Sequence, residues 1–338
     1  TYSELGTNMN GSDKKGEAVS KGMDISKKQG KNVVQDFFED EKTDDTKKLN
    51  IKPDELKKIK QLGQGSQGSV DKMLHIPTQR IVALKTVMLN TDDAFLKQLK
   101  LELATLRNCD CEYIVQCYGA FFNQGVINIA LEYMDIGSLS DVLKEVGQIS
   151  EVILGTITYQ VLKGLEYLHK TTKVIHRDIK PSNLLINSEG QVKIADFGVS
   201  GKIESTFECK SSWVGTAIYM SPERFGGEKY NFDTDIWSLG LTIVECALGR
   251  FPYPEPGSTA KMSFFDLMEY ISLKPAPKLP EGFSPEIQDF VAICLSKEGG
   301  TRSSATDLLK HPFMKKYAKV STKKFKEWLK LVFPEKKQ

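Results

Sequence analysis

Residues 174–198 read V-I-H-R-D-I-K-P-S-N-L-L-I-N-S-E-G-Q-V-K-I-A-D-F-G. An apolar pair, Val174 and Ile175, runs into a loop that carries His176, Arg177, Asp178, Lys180 and Asn183. The apolar residues Leu184, Leu185 and Ile186 follow, and then a polar turn at 187–190. Residues 191–195 alternate polar and apolar, as a short strand does, and deliver Asp196, Phe197 and Gly198. Two strands joined by a tight turn bring Asp178, Asn183 and Asp196 to one mouth. One carboxylate there can accept a proton from a hydroxyl. The other carboxylate and the amide offer hard oxygen ligands of the kind Mg²⁺ prefers. A turn rich in Asp and Asn that only solvates a loop is the plain alternative. One short motif could arise that way by chance, so the remainder of the chain has to decide.

The chain has 338 residues, enough for one large domain or two lobes with a sizeable core. Its 40% hydrophobic and 27% charged residues match an ordinary soluble protein. A net charge of +2 gives no bulk attraction to nucleic acid or to an acidic membrane. No apolar run approaches the length of a membrane span, and no secretory leader is expected. The sequence starts at Thr1, which leaves an N-terminal lipid signal open. Cys109 and Cys111 form C-x-C, but no second pair or histidine cluster completes a zinc site. Reduced thiols fit better, so the expected location is the cytoplasm, with the nucleus open.

Residues 1–52 are polar and poor in large apolar groups, and are expected to be mostly disordered. Within them Lys27, Lys28 and Lys31 precede Val33 and Val34; an ordinary charged tail is the favoured reading. Phe37 and Phe38 suggest a short helix. From Ile51 the pattern changes. Leu56, Ile59 and Leu62 lead into Gly63, Gln64, Gly65, Ser66, Gln67, Gly68, Ser69 and Val70, which is G-x-G-x-x-G-x-V. Glycines let the backbone approach phosphates and present its N–H groups to an anion. A dinucleotide-binding loop shares the motif but needs a helix straight after the glycines. Here a strand and a turn at Pro77 and Thr78 follow, so the loop reads as a flap between antiparallel strands.

Ile81, Val82, Ala83 and Leu84 form a buried strand that ends on Lys85. Such a lysine needs anions, both nucleotide phosphates and a carboxylate. Glu102 is the candidate carboxylate; it lies in 95–106, where Leu96, Leu99, Leu103 and Leu106 recur at helical spacing. A solvated helix face is the bland reading of Glu102. Residues 128–133 form another buried strand. Residues 153–169 form a core helix with Ile153, Ile157, Val161, Leu165 and Leu168 on one stripe, and His169 is expected at the surface. A strongly apolar helix begins at Asp235, whose side chain can cap it and brace the loop at 176–178. The tail at 314–338 is basic, with Phe325, Trp328, Leu329 and Val332 at helical spacing. Packing on the larger lobe is favoured for it over binding a partner.

These motifs in this order resemble the protein kinases. The finer resemblance is to the dual-specificity MAP kinase kinase family. It rests on H-R-D-I-K-P-S-N-L-L-I-N, on G-V-S-G after D-F, on V-G-T at 214–216, and on Y-M-S-P-E-R at 219–224. It spans about residues 53–314. The resemblance implies an α+β, bilobal fold: an antiparallel N-lobe sheet with one helix at 53–133, and a mainly helical C-lobe at 134–313. It implies ATP and Mg²⁺ as cofactors, a MAP kinase as substrate, an upstream MAP kinase kinase kinase as activator, and a scaffold as a further partner. It also makes the basic cluster of the N-terminal tail a docking peptide for a substrate kinase.

Residue by residue, Asp178 orients the acceptor hydroxyl and Lys180 neutralises the transferred phosphoryl group. Lys85 holds nucleotide phosphates, Glu102 pairs with it, and Asn183 and Asp196 hold Mg²⁺. Leu62, the loop Gly63, Gln64, Gly65, Ser66, Gln67 and Gly68, and then Val70 and Ala83, cover the nucleotide. Leu131 is the gatekeeper, and Glu132 and Met134 give hinge backbone groups. Ser138 and Asp141 contact the ribose, although N-terminal helix capping explains them equally well. Activation by phosphorylation is implied at Thr206 and Ser212; Ser205 and Ser211 have the same spacing and leave the register open. Arg177 is the cation placed to receive such a phosphate. Arg302 resembles the arginine that pairs with Glu223. Ala195 stands where several members have cysteine, so thiol-directed inhibitors of that position should fail here. A germinal-centre-type serine/threonine kinase, a pseudokinase scaffold and a dinucleotide-dependent oxidoreductase are the rival readings.

Overall fold

The computed structural model describes residues 51–65, 68–88, 103, 105–106, 109–123, 125–196, 218–227, 230–253, 264–318 and 322–336. The chain divides into two compact units, one comprising Thr1–Arg107 and Cys117–Tyr133, the other Asn108–Gln116 and Met134–Gln338.

The first unit holds a five-stranded antiparallel sheet in the order β1-β2-β3-β5-β4. Its strands are β1 (Leu56–Gly65), β2 (Gly68–His75), β3 (Arg80–Met88), β4 (Cys117–Asn123) and β5 (Val126–Glu132). Alternation decides which face is buried. Met73 pairs with Val82, and Leu84 with Ala130. Those four side chains, with Ile51, form one buried cluster against which Leu56, Tyr118 and Phe121 pack. The β1–β2 ladder slips twice, between Lys58 and Lys60 and between Gln61 and Gly63. These bulges bend the ribbon just before its glycines. A strand, not a helix, follows Gly68, which removes the dinucleotide-binding alternative.

The second unit is mainly helical. A small sheet β6-β7-β8 joins Gly137–Ser138, Leu184–Ile186 and Val192–Ile194. Residues 109–116 join this unit: Ile194 N–H donates to Tyr113 O (2.9 Å) and Val115 N–H to Ile194 O (3.0 Å). Helix α1 is Leu139–Val146 and α2 is Glu151–Tyr167. Ile153, Ile157, Val161 and Leu165 of α2, and Leu168 just beyond it, are all buried, as the apolar stripe requires. Short α3 (Pro222–Phe225) precedes α4 (Asp233–Leu248), which is buried nearly all round, Trp237 included. Then come α5 (Phe264–Leu273), α6 (Pro285–Cys294), α7 (Ala305–Leu308), α8 (Pro312–Tyr317) and α9 (Thr322–Val332). The expected basic tail helix is α9. Its Phe325 and Leu329 are buried, and its Thr322 carbonyl lies against Gly190 at the β7–β8 turn. No helix among the described residues is long and apolar enough to cross a membrane.

Two expectations change here. His169 is not a surface residue; it is 8% exposed, and its Nε2 lies 2.8 Å from Asp235 Oδ2. The α2 stripe continues into a π-type turn, Leu168–Thr172, which rotates residue 169 inward. Asp235 does not cap its helix either. The N-cap is Phe232, and the Asp235 carboxylate is taken up by the loop it braces. The predicted pairing of Glu223 with Arg302 forms as a buried two-bond fork, Nη1–Oε1 at 2.7 Å and Nη2–Oε2 at 2.9 Å.

Candidate active site

The centre is the β7–β8 hairpin of the second unit. Leu184 pairs with Ile194 and Ile186 with Val192, so Asn183 and Ala195 flank the open end. Ala195 N–H donates to Asn183 O at 2.9 Å. The closed end is held from several sides. Asn187 Oδ1 accepts the Glu189 and Gln191 N–H groups, and Asp135 Oδ1 accepts Ser188 N–H. Gln160 of α2 grips the turn and the start of β8: its amide donates to Gly190 O (3.1 Å) and its oxygen accepts Val192 N–H (2.9 Å). Gly190 sits at φ +79° with the Thr322 carbonyl 3.2 Å from where a Cβ would stand, so glycine is required there.

The loop before the hairpin hangs on Asp235, which is fully buried. Its carboxylate accepts His176 N–H and Arg177 N–H, each at 2.8 Å, and faces His169 Nε2. Burial alone would push this carboxyl up. The hydrogen bonds from the His169 ring and the His176 backbone N–H hold it below the ordinary carboxylate value. His176 in turn joins loop to strand. Its Nδ1 accepts Asp178 N–H (3.3 Å), which leaves Nε2 to donate to Ala195 O (3.1 Å). Arg177 and Asp196 both adopt left-handed backbone, φ +70° and +56°. Non-glycine residues stay there only where their surroundings over-determine them, commonly at functional loops.

Asp178, 8% exposed, and Asn183, 6% exposed, meet directly. Asn183 Nδ2 donates to both the Asp178 carbonyl and Asp178 Oδ2, each at 2.8 Å. Lys180 Nζ lies 2.9 Å from Asp178 Oδ2. Asp178 Oδ1 is buried without a hydrogen-bond partner, an acceptor waiting for a donor. With its nitrogen committed to Asp178, Asn183 keeps Oδ1 for another group. Ser182 Oγ touches that oxygen only at 3.4 Å. Among the described residues no cluster of three or more His, Cys, Asp or Glu could hold a metal by itself. An oxygen pair such as Asn183 and Asp196 suits a cation that takes most of its ligands from water or phosphate, as Mg²⁺ does.

In the first unit, ladder register places the predicted nucleotide contacts on one face. Lys85 is opposite Val70 and Ile129, and Ala83 is opposite Lys72 and Leu131. Val70, Ala83, Lys85 and Leu131 therefore share the side opposite the Met73–Val82–Leu84 core. Gly63 pairs with Val70, and Gln64 with Ser69; Gly65 and Gly68 close the ribbon. A Cβ on Gly68 would stand 1.7 Å from Thr86 O, so no other residue fits without moving β3. Leu62, in the second bulge, is 41% exposed. Glu132 ends β5, and Met134 lies in the second unit, buried. Ser138 and Asp141 form a capping box at the start of α1, with Ser138 Oγ and N–H both on Asp141 Oδ2 (2.7 and 3.1 Å). The capping expected of them is formed. Burial works against the Asp141 carboxylate, but Ser138 and Lys144 hold it below its ordinary range.

Ser66, Gln67, Glu102, Phe197, Gly198, Ser205, Thr206, Ser211 and Ser212 lie outside the described residues, as do the N-terminal tail and Pro254 to Ser258. Three supports of the site escaped the sequence reading: Gln160, Asp135 and the inward His169. Gln160 carried a usable signal, because a glutamine inside an otherwise apolar helix needs partners. Asp135 and His169 carried none.

A protein kinase domain model matches residues 56–314. The chain is 48% identical over 267 residues to mitogen-activated protein kinase kinase 1c of Physcomitrium patens, covering 78% of this chain and 77% of that one. It is 48% identical over 265 residues to mitogen-activated protein kinase kinase 2 of Arabidopsis thaliana, covering 78% and 73%. It is 44% identical over 287 residues to the dual specificity mitogen-activated protein kinase kinase dSOR1 of Drosophila melanogaster, covering 79% and 72%.

Proposed function

The chain belongs to the MAP kinase kinase family of protein kinases, and from that premise we propose how its residues carry the reaction. As a family member it is a dual-specificity enzyme that uses ATP and a divalent metal, acts on a MAP kinase and answers to an upstream MAP kinase kinase kinase. The proposed metal is Mg²⁺, held by Asn183 Oδ1 and the Asp196 carboxylate; when bound it would neutralise charge on the phosphates. Lys85 binds phosphate oxygens with Glu102 as its counter-ion, and the glycines of 63–68 give N–H groups to the same anion. Val70, Ala83 and Leu131 pack on the base. Asp178 orients the substrate hydroxyl and takes its proton on Oδ1. Lys180 stays beside Oδ2 and offsets the charge of the phosphoryl group in flight. Little covalent chemistry is asked of the protein, so positioning and charge stabilisation supply most of the rate.

One observation carries this reading: Asn183 spends both N–H groups of its amide nitrogen on Asp178, which fixes the carboxylate and frees one oxygen on each side chain. An Asp178→Asn variant loses the proton acceptor while keeping its size. Incubated with ATP, Mg²⁺ and a panel of catalytically inactive MAP kinases, wild type should label one activation-loop threonine and one tyrosine. The variant should fall by a factor on the order of 10³, within the range for general-base and electrostatic roles. Label confined to serine and threonine would sink dual specificity here. The proposed phosphorylation sites remain Thr206 with Ser212, and Ala at both should abolish activation by an upstream kinase. Scaffold binding and a cytoplasmic location belong to the same proposal, testable by imaging and capture of the tagged chain.

A further inference from the structure

Where the C-terminal tail meets the closed end of the β7–β8 hairpin it leaves a cavity of about 280 Å³, wholly within the second unit. Its apolar side is Ile136 and Leu329, 2% and 1% exposed, and Phe333. Its polar side comes from Ser188 and Glu189 of the turn and from Lys326, Lys330 and Lys336 of the tail. In this lining one carboxylate faces three ammonium groups. Lys326 takes that carboxylate, pairing with Glu189. Lys336 donates to the Ile136 carbonyl and stands 5.0 Å from the centre of the Phe333 ring. The Lys330 ammonium makes no ion pair or hydrogen bond among the described residues.

Lysines that merely solvate a helix point away from its packed face. In α9 the pattern differs. Phe333 N–H donates to Leu329 O, so the helical turn carries through it. Lys326, Leu329, Lys330 and Phe333 then fall at i, i+3, i+4 and i+7, along one face. Two lysines thus share the face that packs on the hairpin. An ammonium beside apolar groups gains more from an anion than one in open water, because the local dielectric is lower. Apolar cavities of about 300–1,000 Å³ with a few convergent polar groups are the usual form of a small-molecule site, and this one stands at the small end. A carboxylate monoanion gives up less hydration on entering such a place than a phosphate dianion does.

We propose that this cavity binds a small organic carboxylate, with its ring or chain on Ile136, Leu329 and Phe333 and its charge beside Lys330 and Lys336. The occupant touches the tail on one side and the hairpin turn on the other, and so ties the tail to the hairpin whose open end carries Asn183. None of the residues assigned to phosphoryl transfer lines the cavity, and the inference stands independently of the proposed function.

The test uses the full chain and 2-naphthoate as probe. 2-Naphthamide supplies the same body without charge, and acetate the charge without the body. Backbone amide resonances are followed by NMR with ATP and Mg²⁺ present at saturation. Ile136, Ser188, Lys330 and Phe333 should shift together with one Kd of about 1 mM or tighter, the scale for a ligand of that size. 2-Naphthamide and acetate should each bind about tenfold more weakly or worse, and added salt should weaken 2-naphthoate. Lys330→Glu, at an exposed position with no side-chain partner to lose, should weaken it about tenfold. Phe333→Ala should weaken it by a similar factor through the lost apolar wall. Amide hydrogen exchange at Ser188 and Gly190 should slow in the complex; unchanged exchange overturns the tie between tail and hairpin. Equal binding of 2-naphthamide, wild-type affinity in Lys330→Glu, or joint shifts that vanish when nucleotide is added each overturn the site. Tighter binding of 2-naphthyl phosphate overturns the choice of carboxylate. Should Phe333→Ala fail to fold, the wild-type titration and Lys330→Glu still decide.

Discussion

Asp235 shows how one side chain can fix a catalytic loop from behind. It has no exposure, and three N–H donors converge on its two oxygens, from the His176 and Arg177 backbone and the His169 ring. Asn at this position keeps the volume but offers one oxygen and one NH₂ group, so at least one donor would face another donor. Breaking a buried charged network this way costs about 3 kcal/mol. Asp235→Asn should therefore melt roughly 5–10 °C lower, by the usual scaling for domains of this size. Its kcat should drop on the order of 100-fold from a misplaced Asp178, with the KM for ATP little changed. Steady-state kinetics and thermal unfolding check both; an unchanged kcat would show that the loop holds without Asp235. At this scale the sequence was legible wherever chemistry limits the choice of side chain. Asp178, Asn183 and Lys180 could be picked out because few residue types do their work. His169 could not, because its direction depends on a π-type turn that leaves no mark in residue type.

Helices meet closely in this molecule where a glycine removes the obstruction. Gly155 lies on the buried side of α2, and a Cβ built there would stand 2.3 Å from the Tyr317 ring of α8. Tyr317 OH donates to Glu151 Oε1 at 3.0 Å, so the ring cannot swing aside without losing that bond. Gly155→Ala should destabilise by about 2 kcal/mol or more, against the small gain Ala normally brings inside a helix. Pairing it with Tyr317→Ala should make the two costs strongly non-additive, because the second change removes the clash. Denaturant unfolding of the two single variants and the double variant measures the coupling, and simple additivity would refute the contact. The elements themselves were readable from periodicity: the α2 stripe, the β3 and β5 strands, and the amphipathic α9. Their mutual distances were not, since a glycine in a helical pattern signals close approach without naming what approaches. The β7–β8 hairpin was readable because a polar turn separates two apolar runs. Its anchoring by Gln160 and α9 needed the fold.

The larger unit as a whole is pinned by buried carboxylates, and this gives its stability a direction with pH. Glu223 meets Arg302 through two bonds, while Arg302 also approaches Asp233 and lies over the Trp237 ring. Burial pushes the Glu223 carboxyl up, yet hydrogen bonds from Arg302 and Ser221 and the Arg302 charge hold it below its ordinary 4.5. The unfolded chain therefore takes up a proton near pH 4.5 that the folded chain still refuses. The stabilisation is complete above that pH and is lost as pH falls toward the folded value, at up to about 1.4 kcal/mol per pH unit for each such group. Asp235, also held below its ordinary 3.8, adds the same slope from that lower pH downward. Glu245 runs the other way. Its carboxyl is pushed up by burial beside Tyr219, so its contribution is full in acid and fades as pH rises. Glu223→Gln tests the balance. At pH 7 it should be less stable than wild type by about 3 kcal/mol, because Arg302 keeps a buried charge without its partner. As pH falls from 5 toward 3 wild type should lose stability faster, and the gap in melting temperature should narrow. A gap that stayed constant over that range would mean that Glu223 is not held ionised by Arg302 in the folded chain.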